Sequence, residues 1–172
     1  IWFGHSTILV NINSIIILID PVFSDAASPV SFIVPRFQPP VLDLKGLPKI
    51  DYILISHDHY DHLDMETMLY FKKKNVKFIT PLGVTSHLKK WGVTESKLFE
   101  LDWWGKTKFK GISFACTPAQ HFSGRLGTFN VSKTLWASWV VKSGSVNFYY
   151  SGDSGYDIHY KQIGDKYGPF DL

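Results

Sequence analysis

The feature that most constrains this chain is a run of histidines and aspartates that follows directly on a strongly apolar segment. Residues 52–56 read Tyr-Ile-Leu-Ile-Ser, which is typical of a β-strand buried on both faces. The next six positions hold three histidines and two aspartates: His57, Asp58, His59, Asp61 and His62. A solvated polar turn would also contain such residues. Their density at the mouth of a buried strand instead favours a metal site, because imidazole and carboxylate groups suit zinc and also iron or manganese.

The spacing within this run predicts two sets of ligands. Alternate side chains of an extended backbone share one face, so His57 and His59 are expected to project together, with Asp61 able to join them. His62 is expected to turn away as the chain bends into a helix. This arrangement predicts ligands for two adjacent metal ions. One segment cannot fill two coordination spheres, so further ligands must come from elsewhere in the chain.

Two other candidates follow predicted strands. His121 lies after the strand predicted at residues 112–117, and Asp153 lies after the one at 146–151. Each alone is a weak indication, since a lone histidine is more often structural. Both fall at strand ends, where α/β folds place their sites, and the glycines on either side of Asp153 would let the backbone approach a site closely.

The remaining pattern predicts a mixed α/β fold. Residues 64–74 and 81–90 are predicted to be helical, with Asp64 as the N-cap of the first helix. A long proline-rich stretch at residues 23–48 is predicted to be a functional loop or lid. Strands interleaved with these helices indicate an α/β class. The predicted strands cover residues 7–12, 15–19, 52–56, 77–80, 97–101, 112–117, 135–142 and 146–151.

The composition of the chain bears on its partners, its cellular compartment and its relation to membranes. The net charge of +3 comes from scattered lysines, which gives no reason to expect a nucleic-acid partner. The single cysteine, Cys116, excludes an intrachain disulfide and favours a reducing compartment such as the cytoplasm. No apolar run approaches the roughly 18 residues of a membrane span, although peripheral contact with a membrane surface is compatible with the pattern. Both ends read as interrupted strands or apolar segments, so residues 1–172 are expected to form one domain that is incomplete at both ends.

The string His57-x-His59-x-Asp61-His62, followed by His121 and Asp153, resembles the metallo-β-lactamase superfamily. More narrowly, the chain resembles the N-acyl-phosphatidylethanolamine-hydrolysing phospholipase D family and its bacterial relatives. The superfamily motif is highly specific, whereas the narrower resemblance rests on several weaker strings. The stretches that carry it span nearly the whole chain: residues 4–7, 20–25, 56–64, 101–104, 118–125, 134–139 and 152–156.

The resemblance implies a four-layer αββα sandwich, truncated here on its C-terminal side. It also implies two zinc ions, with iron or manganese as alternatives. The first metal would be held by His57, His59 and His121, and the second by Asp61 and His62. Asp153 would bridge both ions, and one further histidine on the second metal would come from beyond residue 172.

The implied reaction is hydrolysis of a phosphodiester in N-acyl-phosphatidylethanolamine or a similar phospholipid. A hydroxide bridging the two metals would attack phosphorus, with Asp61 orienting it, at a centre of formal charge about +1 that favours an anionic substrate. Arg125 would reach a phosphate oxygen, although a surface salt bridge would explain this arginine equally well. The alternatives are a hydrolase of the same fold acting on a lactone, a β-lactam or a sugar-phosphate lactone, and a non-catalytic metal-binding domain. The pattern does not indicate an oligomeric state.

Overall fold

A computed structural model describes residues 1–28, 34–125 and 131–172 and arranges them in two β-sheets flanked by helices. The first sheet has five strands in chain order, and the second has four antiparallel strands in chain order. Strands β2 to β5 run parallel, and β1 forms an antiparallel hairpin with β2. The strands are β1 Ile8–Ile12, β2 Ile15–Ile19, β3 Tyr52–Leu54, β4 Lys77–Pro81, β5 Leu98–Leu101, β6 Lys106–Phe109, β7 Ile112–Thr117, β8 Ser138–Ser143 and β9 Val146–Tyr150.

Three helices cover the outer faces: α1 Met65–Phe71, α2 Thr85–Lys90 and α3 His159–Tyr167, with a short 3₁₀ turn at Glu95–Lys97. Alternation along β3 shows how the layers stack. Tyr52 and Leu54 face the second sheet, while Ile53 faces α1 and α2. A third, smaller core lies between the second sheet and Ile163 of α3. The order is therefore helix, sheet, sheet, helix, and the predicted α/β class with four αββα layers is confirmed.

Several predicted boundaries were too long, and the backbone hydrogen bonds show why. The strand predicted at 135–142 begins only at Ser138, because Leu135 N donates to Leu82 O and Ala137 N donates to Ser56 O. The helix predicted from residue 81 begins at Thr85, since Gly83 has a φ of +83° and forms a turn. Strand β3 ends at Leu54, although Ile55 N still bonds Ile79 O.

Two elements were missed. Strand β6 alternates exposed and half-buried residues and contains Lys106 and Lys108, so it lacks the apolar signal of a strand. Helix α3 is polar overall and buries little besides Ile163 and His159. Strand β6 is stabilised by its pairing with β7, and α3 is stabilised by packing against the second sheet. A local sequence pattern reveals neither of these contacts. Among the described residues, no helix is long and apolar enough to cross a bilayer.

The strand ends determine where a site can form. Strands β2 and β3 are parallel neighbours, so Asp20 and Ser56, which follow them, lie side by side. On the other sheet, the chain leaves β7 toward His121 and β9 toward Asp153. Trp139 Nε1 of β8 donates to Ile55 O and joins the two sheets at this edge. Ligand candidates from both halves of the sandwich therefore meet at one edge.

Helix α1 begins at the predicted cap. Asp64 Oδ1 accepts from Glu66 N at 3.3 Å and from Ser24 Oγ at 2.7 Å, and Oδ2 accepts from Thr67 N at 3.3 Å. The backbone N–H groups of Phe23 and Ser24 also donate to this carboxylate, at 3.2 and 3.1 Å. Asp64 therefore fixes the helix start and the beginning of the long loop together.

We predict that Asp64→Ala lowers the free energy of unfolding by about 2–4 kcal/mol, because it removes a helix cap and orphans buried donors. Asp64→Asn should cost less than Asp64→Ala, since its amide oxygen can still cap the helix, but its NH2 group cannot accept the bonds made to the second carboxylate oxygen. Urea unfolding of the three proteins measures both differences. Equal free energies of unfolding for wild type and Asp64→Ala would show that the cap makes no net contribution to stability.

Candidate metal centre

Three imidazoles from two segments of the chain converge at the edge where the two sheets meet. His57 Nε2 lies 2.8 Å from His59 Nδ1, and His121 Nε2 lies 3.2 Å from the same His59 nitrogen. Their ligand atoms all lie within 4.8 Å of one another. His57 is buried, His59 and His121 are half-buried, and His59 also lines a cavity. The structure thus brings together the three residues predicted for the first metal.

A second group shares His57 and adds His62 and Asp153. His62 Nε2 lies 3.3 Å from Asp153 Oδ1 and 3.9 Å from Asp61 Oδ2. Asp153 Oδ2 lies 3.8 Å from His121 Nε2, so this carboxylate faces both groups, as a bridging ligand would. Asp61 lies beside the second group rather than within it, and its side chain is 44 % exposed.

These donors fit a divalent cation. Two ligands at roughly 2.0–2.1 Å from one tetrahedral zinc lie about 3.3 Å apart, close to the spacings between the ring nitrogens. Burial lowers the pKa of His57, His59 and His121 below the ordinary imidazole value. These three rings are therefore uncharged at neutral pH and can offer lone pairs.

His62 and Asp153 behave as a charged pair when no cation is bound. Burial alone would lower the pKa of His62, but the carboxylates of Asp20 and Asp153 outweigh it and raise the pKa to about 10. The hydrogen bond from His62 in turn holds the pKa of Asp153 below its usual value. A cation bound at Nε2 would replace the proton there and keep the same carboxylates satisfied.

Asp20 supports the candidate centre, and the sequence analysis did not include it among the site residues. Its carboxylate is fully buried and accepts from Ser56 N at 2.7 Å and from Tyr150 Oη at 2.8 Å. Oδ2 also lies 2.8 Å from His62 Nδ1, which orients the ring so that Nε2 faces the site. In the sequence analysis Asp20 appears only within residues 20–25, one of the stretches that carry the family resemblance. Asp20 directly follows β2, just as the histidine run follows β3. This shared position at the end of a strand was the signal that could have revealed it.

The glycine before Asp153 allows the close approach that the sequence suggested. Gly152 has a φ of +57°, and a Cβ there would lie 3.0 Å from both Ala137 O and the Cβ of Ser56. Any side chain would push the Asp153 loop away from the histidine loop. Glycine at this position therefore sets the distance between the ligands of the two sheets.

Asp58 and Arg125 fasten the His121 loop to the histidine loop. The buried Asp58 carboxylate accepts from Gly124 N at 2.7 Å and bonds His87 Nε2 at 3.0 Å. Arg125 Nη1 donates to Asp58 O at 2.8 Å and to Leu63 O at 2.6 Å. The guanidinium also lies 4.0 Å from the ring centroid of Tyr60. Arg125 is thus held against the ligand loop and at the same time borders the cavity described next.

A cavity of about 590 Å³ opens beside the centre. His59 and Asp61 form part of its wall, and Phe122, which packs edge-on against His59, forms another part. Ala27 and Val34 of the long loop, together with Val131, add apolar surface, while Tyr60 and Arg125 close one side. The predicted role of residues 23–48 as a functional loop is consistent with this lining, and residues 29–33 lie outside the described part.

Comparison with known proteins identifies the family. A family model described as "Beta-lactamase superfamily domain" matches residues 16–172. The chain belongs to this superfamily. The resemblance inferred from the histidine motif is therefore confirmed, and the two-sheet fold agrees with it.

This chain is similar to several known proteins of the superfamily. It is 44 % identical over 173 residues to an uncharacterized protein of Mycobacterium tuberculosis, covering 99 % of this chain and 46 % of that protein. It is 39 % identical to N-acyl-phosphatidylethanolamine-hydrolyzing phospholipase D 1 of Caenorhabditis elegans, covering 99 % of this chain and 51 % of that protein. The chain thus spans about half the length of these curated relatives. The solved structure of Igni18, a metallo hydrolase of Ignicoccus hospitalis, aligns with a TM-score of 0.69 at 22 % identity, over 96 % of this chain and 65 % of that one.

We predict that Asp20→Asn weakens zinc binding by about tenfold or more, because outer partners of ligating histidines typically contribute that much to affinity. Competition with a chromophoric chelator in the intact protein measures the change. Asp51→Asn is the matched control: its carboxylate accepts from Ile16 N at 3.1 Å, at the opposite end of the same strands. If both variants bind zinc as wild type does, Asp20 does not support the centre.

Proposed function

We propose that the intact protein is a metal-dependent phosphodiesterase of the phospholipase D type, acting on N-acyl-phosphatidylethanolamine or a similar phospholipid. The observation that carries the proposal is the pair of ligand groups that share His57 and lie beside the cavity. The 39 % identity to a worm enzyme named for this reaction supports the substrate class. With two cations bound, the centre would carry a net positive charge, which suits a phosphodiester anion.

In this proposal His57, His59 and His121 hold one zinc ion, His62 and Asp61 hold a second, and Asp153 contacts both. Iron or manganese would suit the same mixed donors. Two bound cations would supply a water-derived nucleophile at neutral pH and neutralise a phosphoryl oxygen. Cys116 takes no part, because it is buried in β7 and burial raises the pKa of its thiol far above neutral.

The chain's own residues would orient the reactants. Asp61, exposed at the cavity, would accept a hydrogen bond from the attacking water, and the half-buried Asp153 would hold the charge between the two groups. The ring of Phe122 and the side chain of Val34 would pack against the apolar part of the substrate. Arg125 would offer a guanidinium donor to a phosphate oxygen while its Nη1 keeps the loops together.

We also propose a cytoplasmic location at a membrane surface. A phospholipid substrate resides in the membrane, and a chain with a single, buried cysteine does not depend on an oxidising compartment. Flotation of the intact protein with phospholipid vesicles tests the membrane part of this proposal.

We predict that the intact protein releases phosphatidic acid from N-acyl-phosphatidylethanolamine and that a chelator abolishes the release. Asp153→Ala should lower kcat/KM about a thousandfold, since several kcal/mol of transition-state stabilisation depend on the cations. Asp157→Ala, an exposed carboxylate four residues further along, is the matched control and should retain activity.

A substrate panel separates the alternatives in the same assay. Ring opening of a lactone, a β-lactam or a sugar-phosphate lactone without release of phosphatidic acid would assign the fold to that other chemistry. Two tightly held metals with no turnover of any substrate would indicate a metal-binding domain without catalysis. Phospholipid cleavage that persists in chelator would contradict the proposed mechanism outright.

Arg125 can be tested separately. We predict that Arg125→Lys raises KM for the charged phosphodiester about tenfold, since a hydrogen bond to a charged group is worth about 1.5–3 kcal/mol. Arg36→Lys is the control: Arg36 also donates to backbone carbonyls, Val22 O at 2.8 Å and Phe3 O at 2.6 Å, but it does not line this cavity. Loss of stability in both variants with KM unchanged would show that Arg125 only holds the loops together.

A further inference from the structure

The nitrogen of His62 that faces the centre has a neighbour that no ligand assignment uses. Ser6 Oγ lies 3.3 Å from His62 Nε2. Asp153 Oδ1 lies at the same distance from this nitrogen, and Asp61 Oδ2 at 3.9 Å. Oxygens from three separate segments therefore lie within 3.9 Å of this nitrogen.

The distance indicates the kind of contact. The 3.3 Å between Ser6 Oγ and His62 Nε2 is longer than most hydrogen bonds, whether the hydroxyl or the ring N–H donates. It agrees with the separation of about 3.3 Å expected for two ligands of one tetrahedral cation. Ser6 Oγ and Asp153 Oδ1 thus lie at the same distance from His62 Nε2.

Ser6 is held in place by the same residues that position His62. Tyr150 Oη donates to Ser6 O at 3.3 Å and to Asp20 Oδ2 at 2.8 Å. The next residue, Thr7, is buried, and its hydroxyl donates to Asp20 O at 2.9 Å and accepts from Val22 N at 2.9 Å. The backbone of Ser6 is therefore fixed relative to Asp20, which contacts the other nitrogen of His62.

We propose that Ser6 supplies its hydroxyl oxygen as a ligand of the cation held by His62. This proposal rests on the proposed two-metal function and adds a ligand to its second site. A hydroxyl oxygen adds no negative charge, and oxygen donors of this kind suit manganese better than zinc. It also keeps the formal charge of the centre positive, as an anionic substrate requires.

A thiol placed at residue 6 tests the contact directly. In the intact protein loaded with cadmium, Ser6→Cys should show the ultraviolet charge-transfer band of a sulfur–cadmium bond, because a thiolate binds a soft cation strongly. Ser154→Cys is the matched control: it adjoins Asp153, but Ser154 Oγ contacts His159 Nε2 at 3.0 Å and Gln120 N at 3.0 Å rather than a ligand of the centre. Wild type and the control should lack the band, since Cys116 is buried in β7.

Ser6→Ala gives an independent measurement that does not depend on the thiol. One of the two cation affinities should fall about tenfold while the other stays at the wild-type value. Ser6→Cys that binds cadmium with wild-type stoichiometry and shows no band would overturn the role of Ser6 and leave the metal centre intact. The same holds if Ser6→Ala retains both affinities. A wild-type protein that binds no cation would instead overturn the metal centre and this proposal together.

Discussion

The buried carboxylate of Asp20 is the interaction on which the candidate centre depends. Moving a carboxylate out of water costs several kcal/mol unless it is paired and fully hydrogen-bonded. Here it contacts Ser56 N after β3, Tyr150 Oη of β9 and His62 Nδ1, so one charge joins both sheets to the ligand loop. Removing any one partner would leave the charge poorly compensated. The arrangement is therefore cooperative, and the orientation of His62 is a consequence of how the two sheets pack.

The centre is assembled from loops, yet each loop is fixed by groups that bind no metal. Trp139 Nε1 ties β8 to Ile55 O, just before the histidine run. Asp58, lying between two ligands, holds the His121 loop through Gly124 N, and Arg125 holds the same loop from the other side. Because these bonds do not use any of the ligand atoms, the fold itself positions the ligands. Binding then costs little ordering entropy, and a change at Asp58 is expected to act on metal affinity rather than on chemistry.

The sequence predicted the parts of this molecule that have a local signature. An apolar run followed by His57-x-His59 identifies a strand and a site, and Asp64 identifies a helix start. It did not identify Asp20, whose role depends on β2 and β3 being parallel neighbours, a relation that no short segment encodes. Strand β6 was missed for the same reason, since its lysines are exposed and its pairing with β7 decides its conformation. The backbone partners of Arg125 could not be predicted either, because every residue has a carbonyl group and the sequence does not show which one accepts a hydrogen bond.

Charge explains why such a centre would choose an anion. Asp61 and Asp153 at the site contribute two negative charges and the proposed hydroxide would contribute a third, while the pKa shifts leave His57, His59 and His121 neutral. Two divalent cations would therefore leave about one positive charge at the centre. A phosphodiester carries one negative charge and would neutralise this excess. If the proposed function holds, the apolar wall around Phe122 would select among anions by the hydrophobic groups attached to them.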